Sequence, residues 1–252
     1  HVIGDFKMDK IDNIDRATYD GQFELDNFDL GAFLDEKDLG RTSVVLDING
    51  TGFSKKYLNT KMKGNIGQFK YNGYTYKNIN VDGTMKMPYF KGFFDSKDPN
   101  LVMTFDGLVD LSKKKKEYDF DAKIEYADLK KTNLYIKDVK SIFSGNIKMK
   151  AKGNTLDDLA GVIDLENISY ANQKADYSFD NAYITSSFDN QNVRTITLNS
   201  SDMIDGQIVG KYQTKQIRKI LENAAGSLYA NYSPHKLSKN QFLDFDFTIY
   251  NK

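Results

Sequence analysis

Tyr118-Asp119-Phe120-Asp121-Ala122-Lys123-Ile124-Glu125-Tyr126 sets five apolar side chains on alternate positions, with a charge in every gap. A helix would scatter these residues around its axis, whereas a strand throws successive side chains to opposite faces. The stretch is therefore predicted to be a strand with one dry face and one wet face. The same alternation recurs at Phe23 and Leu25, at Val44, Leu46 and Ile48, and at Leu101, Met103 and Phe105. It returns at Ile147, Met149 and Ala151, with Lys148 and Lys150 between them, and at Phe245, Phe247 and Ile249. Parallel sheets buried on both faces give continuous apolar runs, so this pattern predicts an antiparallel sheet wetted on one side.

Punctuation supports a meander of hairpins. Asn49-Gly50, Asn72-Gly73, Gly145-Asn146 and the polar stretch 112–117 read as tight turns. Asp106-Gly107 reads as a bulge inside a long strand. One segment breaks the two-residue period: Ile217, Ile220, Leu221, Ala224 and Ala225 share one helical face, and Gly226 stands ready to end it. A short amphipathic helix is thus predicted over 214–226, lying on the apolar face of the sheet, with a docking element for a membrane or a partner as the alternative. Shorter helical turns are predicted at 30–34 and 155–159.

Composition narrows the chemistry. The 252 residues carry 35 basic and 35 acidic side chains, so no basic surplus exists to neutralise a phosphate backbone, and nucleic acid is not an expected partner. There is no Cys, which removes disulfides, thiolate metal sites and thiol nucleophiles. Only His1 and His235 are present, too few for a multi-histidine metal centre. No catalytic residues, metal or cofactor are expected, and the chain is not expected to be an enzyme. Tyr and Phe supply 33 residues against three prolines, the usage of strands in a polar background. No apolar stretch is long enough to span a bilayer as a helix.

An internal repeat of about 100 residues is legible. Asp29-Leu30 corresponds to Asp128-Leu129, and Gly52, Leu58, Gly64, Ile66 and Tyr71 correspond to Gly153, Leu159, Gly161, Ile163 and Tyr170. Tyr74, Tyr76, Asn78 and Val81 match Tyr177, Phe179, Asn181 and Ile184. Near the end, Asp244, Phe245, Asp246 and Ile249 echo Asp119, Phe120, Asp121 and Ile124. The chain is accordingly expected to be one continuous repeat domain over 1–252. Repeat 1 is placed at 19–116, repeat 2 at 117–213, the helix at 214–226 and the start of a truncated third repeat at 242–252. Roughly fifteen strands fit this length, more than the ten or so that a twisted open sheet usually holds without curling, splitting or flattening. Elongated sheets that grow by repetition fit such a pattern better than a closed barrel or a sandwich.

The stretch 106–129, with Asp106, Gly107, Leu108, Val109, Asp110 and Leu111 followed by a polar turn and then Phe120, Ala122, Ala127, Asp128 and Leu129, resembles the repeat of TamB proteins of the AsmA-like superfamily, in their Bacteroidetes form. The segment 153–161 is similar to another part of that repeat. Gly226, Ser227, Leu228, Tyr229, Ala230, Asn231 and Tyr232, leading into 241–252, resemble the same proteins. The likeness runs from about Tyr19 to the end, and its motifs are structural rather than catalytic.

That resemblance implies an all-β, elongated and curled U-shaped β-groove with an apolar inside. It implies a periplasmic protein, anchored in the inner membrane by a helix outside this chain, that carries phospholipid between inner and outer membranes. It also implies a role in outer-membrane protein assembly with a BamA-type, TamA-like partner, reached through regions outside this chain. The chain would be an internal piece of such a protein. The groove would be lined by Phe23, Leu25, Leu46, Ile48, Leu101, Met103, Phe105, Phe120, Ala122, Ile124, Ile147, Met149, Phe245, Phe247 and Ile249, which contact phospholipid acyl chains.

Competing motifs are weaker. Asn78, Asn80, Asp82 and Gly83 resemble half a calcium loop, but the leading Asp is missing and Tyr89 stands where the bidentate Glu belongs; a strand ending in an Asp-Gly turn is expected instead. Gly50-Thr51-Gly52 lacks the third glycine of a dinucleotide fingerprint. Asp157-Asp158 reads as the solvated face of a helical turn, and the four lysines Lys113, Lys114, Lys115 and Lys116 as a solvated hairpin tip, with anionic lipid headgroups as the minority reading. The alternative to the groove is a cell-surface β-sandwich, an adhesin or binding module without lipid transport.

Overall fold

The computed structural model describes residues 2–54, 56–229, 231–238 and 240–250, with no account of the side chains of residues 2, 3 and 6. Ala230 of the resemblance, and the last two residues of the predicted third repeat, therefore lie outside the described residues.

The chain is all-β. Among the described residues fifteen strands form one antiparallel sheet, in which β3 to β15 follow one another in space as in sequence while β1 and β2 both pair with β3. The strands are β1 (Val2–Ile3), β2 (Phe6–Asp9), β3 (Thr18–Asp29), β4 (Leu39–Thr51), β5 (Asn59–Tyr71), β6 (Tyr74–Lys86), β7 (Tyr89–Asp98) and β8 (Leu101–Asp110). They continue with β9 (Glu117–Asp128), β10 (Ser141–Lys152), β11 (Ala160–Asn172), β12 (Asp176–Phe188), β13 (Arg194–Asn199), β14 (Ile204–Lys211) and β15 (Phe242–Ile249). Helix α1 (Leu30–Leu34) is started by Asp29, whose carboxylate accepts from Ala32 N–H at 3.0 Å. A 3₁₀ turn (Thr214–Gln216) leads into α2 (Ile217–Gly226).

One sheet of this length leaves much of itself wet. The accessible surface is 16100 Å², against about 11,300 Å² expected of a compact monomer of this mass. Twelve apolar residues are fully buried among the described residues, and five of these are alanine. Among the described residues no second sheet covers the first: every strand belongs to the same one.

Several expected turns are strand interior. Asn49-Gly50 lies in β4 and Asp82-Gly83 in β6. Gly145-Asn146 lies in β10, where the pairing with both neighbours slips by a residue, so it is a bulge rather than a turn. Asp106-Gly107 also sits inside a strand, but in unbroken register with Asp121 and Phe120. The physical reason is shared: these glycines save space. A Cβ on Gly92 (φ +154°) would lie 2.3 Å from Asp82 O, and one on Gly107 (φ +144°) 2.3 Å from Asp119 O. Glycine here marks close approach of the neighbouring backbone, not chain reversal. Asn72-Gly73 and the 112–117 stretch do turn the chain, between β5 and β6 and between β8 and β9. The predicted helical turn at 155–159 is a hydrogen-bonded turn held by Asp158 N–H to Thr155 O, without a helix.

Helix α2 forms where expected but does not lie flat on the sheet. Leu221, Ala224 and Ala225 are exposed, because the helix packs against the segment that follows it: Asn223 accepts from Tyr232 Oη–H at 3.0 Å and from His235 N–H at 2.7 Å.

Candidate functional site

Register places the apolar side chains with great regularity. Gly21, Ile48, Met62, Gly83, Gly92, Gly107, Phe120, Met149, Ile163, Ile184, Leu198, Gly206 and Phe247 are successive cross-strand partners over thirteen strands, β3 to β15. Every member is apolar or glycine. The next row on the same face runs Phe23, Leu46, Gly64, Val81, Phe94, Phe105, Ala122, Ile147, Leu165 and Ala182. Leu25, Met103 and Ile124 continue the face, as do Leu101 by alternation along β8 and Phe245 and Ile249, which pair with Ile208 and Ile204. All fifteen residues singled out from the sequence thus share one face. They differ in depth: Leu25, Phe105 and Ala122 are buried, Phe245 and Ile249 are exposed near the sheet edge, and the others are half-buried.

Aromatic rings fill the room above the glycines. Phe94 stacks on Phe105 at 5.2 Å, and Phe105 meets Phe120 at 5.2 Å and Phe90 at 6.0 Å. These rings border Gly83, Gly92 and Gly107, the arrangement by which aromatic pairs compensate glycine in strands. The opposite face is charged and self-paired, with Lys63 on Asp82 at 2.8 Å and Lys150 on Asp119 at 3.4 Å.

Both ends of the apolar face are dressed by connections. At one end the β9–β10 connection folds back, so that Tyr76 Oη–H donates to Thr132 O at 3.0 Å; burial pushes the Tyr76 phenol up to about 12. Asp98, wholly buried nearby, accepts from Tyr74 Oη–H at 2.6 Å and from the N–H groups of Lys77 and Asn100, each at 2.8 Å.

At the other end lies a cavity of about 240 Å³. Its floor is Ala151, Gly161, Ile163, Ile184, Ile196 and Ile208 of the apolar face. Leu159 of the β10–β11 connection, with Tyr212, Thr214 and Ile217 beyond β14, completes the lining, to which Leu156 contributes from a largely exposed position. The connection is held in place by Asp158, which accepts from Thr155 N–H at 2.7 Å and Asn154 N–H at 2.9 Å, and by Asp157, which accepts from Thr214 N–H at 2.6 Å. Both carboxyls are held below their usual range, Asp158 first by the Thr155 amide and Asp157 first by the Thr214 hydroxyl. The pair ties the connection down from the surface: Asp157 is exposed and Asp158 half-buried, in keeping with the solvated turn expected from sequence.

Ser186, Arg194, Tyr212 and Thr214 are the polar residues in this mostly apolar lining, and sequence reasoning singled out neither Arg194 nor Tyr212. Arg194, 6% exposed, donates through Nε to Ser186 Oγ (2.9 Å), through Nη1 to Leu156 O (2.6 Å) and through Nη2 to Leu159 O (2.8 Å). Its guanidinium also lies 5.4 Å from the Phe188 ring centre. Among the described residues no carboxylate comes within ion-pair distance of it. The Tyr212 hydroxyl is buried without a hydrogen-bond partner. Burial raises its pKa most, and Arg194 opposes that rise through its charge and through a side-chain approach that falls outside hydrogen-bond geometry. Such an orphan costs about 1–3 kcal/mol. The available signal was parity: Arg194 is in phase with Ile196 and Leu198, an arginine on the apolar side of a strand.

Among the described residues no group of three or more His, Asp or Glu is placed to hold a metal ion, and no helix is long and apolar enough to cross a membrane. Comparison with protein families, with curated proteins and with solved structures finds no match to the chain.

Proposed function

We propose that the apolar face is the lining of a curled groove that carries phospholipid acyl chains, and that the chain belongs to a TamB-like, periplasm-spanning lipid conduit with a part in outer-membrane biogenesis. The observation that carries this reading is the thirteen-strand row without a polar member, on a face that no second sheet covers. A sealed core would bury such a row. Here most of its members keep partial access to solvent, and apolar surface left open on this scale marks an interaction site. Each acyl methylene withdrawn from water against it gains about 0.8 kcal/mol, so affinity spreads along the row instead of concentrating at one residue.

Repetition supports the reading too. β3 to β6 and β9 to β12 are matching series of long strands, and each series opens with a strand closed by an aspartate. Asp29 caps Ala32 N–H and Asp128 caps Lys131 N–H, three residues on in both cases. Repetition lengthens an open sheet without closing it.

Native mass spectrometry of the detergent-free chain tests the proposal. Co-purifying phospholipid is the expected result, and a chain that stays empty after incubation with phospholipid vesicles would count against it.

A further inference from the structure

The cavity around Arg194 differs from the rest of the apolar face in one respect: it holds a buried positive charge. Three of the five guanidinium N–H groups are spent on Ser186, Leu156 and Leu159, which leaves two. Beside them the Tyr212 hydroxyl has no partner. Asp157, the carboxylate whose charge Arg194 feels, is engaged by Thr214 and forms no ion pair with it. A buried cation with no ion-pair partner among the described residues, next to a hydroxyl outside hydrogen-bond geometry and among Ile and Leu side chains, is complementary to an anionic head on an apolar chain.

We infer that this cavity seats the anionic oxyacid head, carboxylate or phosphate, of an acyl amphiphile, with Arg194 and Tyr212 donating to the head and the chain running out over Ile163 and Ile184. At about 240 Å³ the cavity is smaller than sites that enclose a whole drug-sized ligand, about 300 Å³ and upward. It therefore takes one end of the molecule, and the remainder continues along the apolar face. The inference rests on the groove reading and adds an anchor point to it: a place where the cargo's head is fixed, at the end of the face closed by the β10–β11 connection.

Isothermal titration with four probes below their micellar concentrations tests it: dodecanoate, dodecyl phosphate, dodecanol and inorganic phosphate. Both anionic amphiphiles are expected to bind at least about tenfold more tightly than dodecanol, the worth of one hydrogen bond to a charged group. Preference for dodecyl phosphate over dodecanoate would mark a lipid-phosphate source, and the reverse a fatty acid; either supports the anchor. Inorganic phosphate alone is expected not to bind, and binding as tight as that of dodecyl phosphate would overturn the role of the chain.

Tyr212→Phe is the decisive variant, because deleting an unpartnered hydroxyl does not endanger the fold. It should weaken dodecanoate about tenfold and leave dodecanol unchanged. Arg194→Lys should do the same provided that it folds. Equal affinity for dodecanoate and dodecanol, or an unchanged affinity of Tyr212→Phe for dodecanoate, would overturn the anchor. If phospholipid still co-purifies in that event, the groove reading survives its failure. Conversely, tight dodecanoate binding by a chain that never retains phospholipid would keep the anchor and remove the conduit.

Discussion

Asp98 shows what a single side chain does for an open sheet. It is wholly buried, and its carboxylate collects donors from Tyr74, Lys77 and Asn100 where β6, β7 and β8 come together. Removing the acceptor strands three donors, so Asp98→Ala should lower stability by about 3 kcal/mol or more, read as a shift in the urea midpoint at unchanged slope. Asp98 was not legible in the sequence, because the chain has 35 acidic residues and nothing local distinguishes this one. Arg194 left a clearer trace through its parity with Ile196 and Leu198. Its meaning depends on Leu156 and Leu159, almost 40 positions away, which only the fold brings to it. The fifteen residues expected to line one face were legible because alternation is a local property that survives any curvature of the sheet.

Among the elements, the β10–β11 connection is built on titratable ties. The Asp157 and Asp158 carboxyls are held below their unfolded values, so their contribution to stability is complete above about pH 4. It is lost as the pH falls through the depressed folded values. Hydrogen exchange of residues 153–159 should therefore quicken between pH 5 and pH 3 relative to β9, after correction for intrinsic rates, and Asp158→Asn should show the faster exchange already at pH 7.

The glycines of β7 and β8 are a second test at this scale. Gly107→Ala sets a Cβ 2.3 Å from Asp119 O and 2.5 Å from the Phe120 Cα, and should cost about 3 kcal/mol or prevent folding. Gly67→Ala meets nothing nearer than Ser43 O at 3.6 Å and should be close to neutral in the same thermal melt. Asn49-Gly50, Asp82-Gly83 and Gly145-Asn146 read as turns in the sequence because Asn-Gly, Asp-Gly and Gly-Asn pairs are strong hairpin signals. Whether such a glycine reverses the chain or lets two backbones approach depends on the neighbouring strand, which the local sequence does not contain.

For the whole molecule, the antiparallel sense and the longer helix α2 were legible from local period, and the approximate number of strands from the length of the chain. How far the sheet closes on itself was not, because closure depends on small twists summed over fourteen strands in a row. An open sheet of that many strands extends over roughly 60 Å by 40 Å, for a radius of gyration of about 21 Å, whereas a compact chain of 252 residues has about 18 Å. Small-angle scattering should find the larger value.

The claim at the centre of the account is that one side of this sheet is open to acyl chains. It is tested most directly by placing a photo-crosslinking residue at position 124, on the apolar face, or at 123, its neighbour on the polar face, and irradiating each protein with phospholipid vesicles. A lipid adduct is expected at 124 and none at 123. Equal capture at both positions, or no capture at 124, would contradict it.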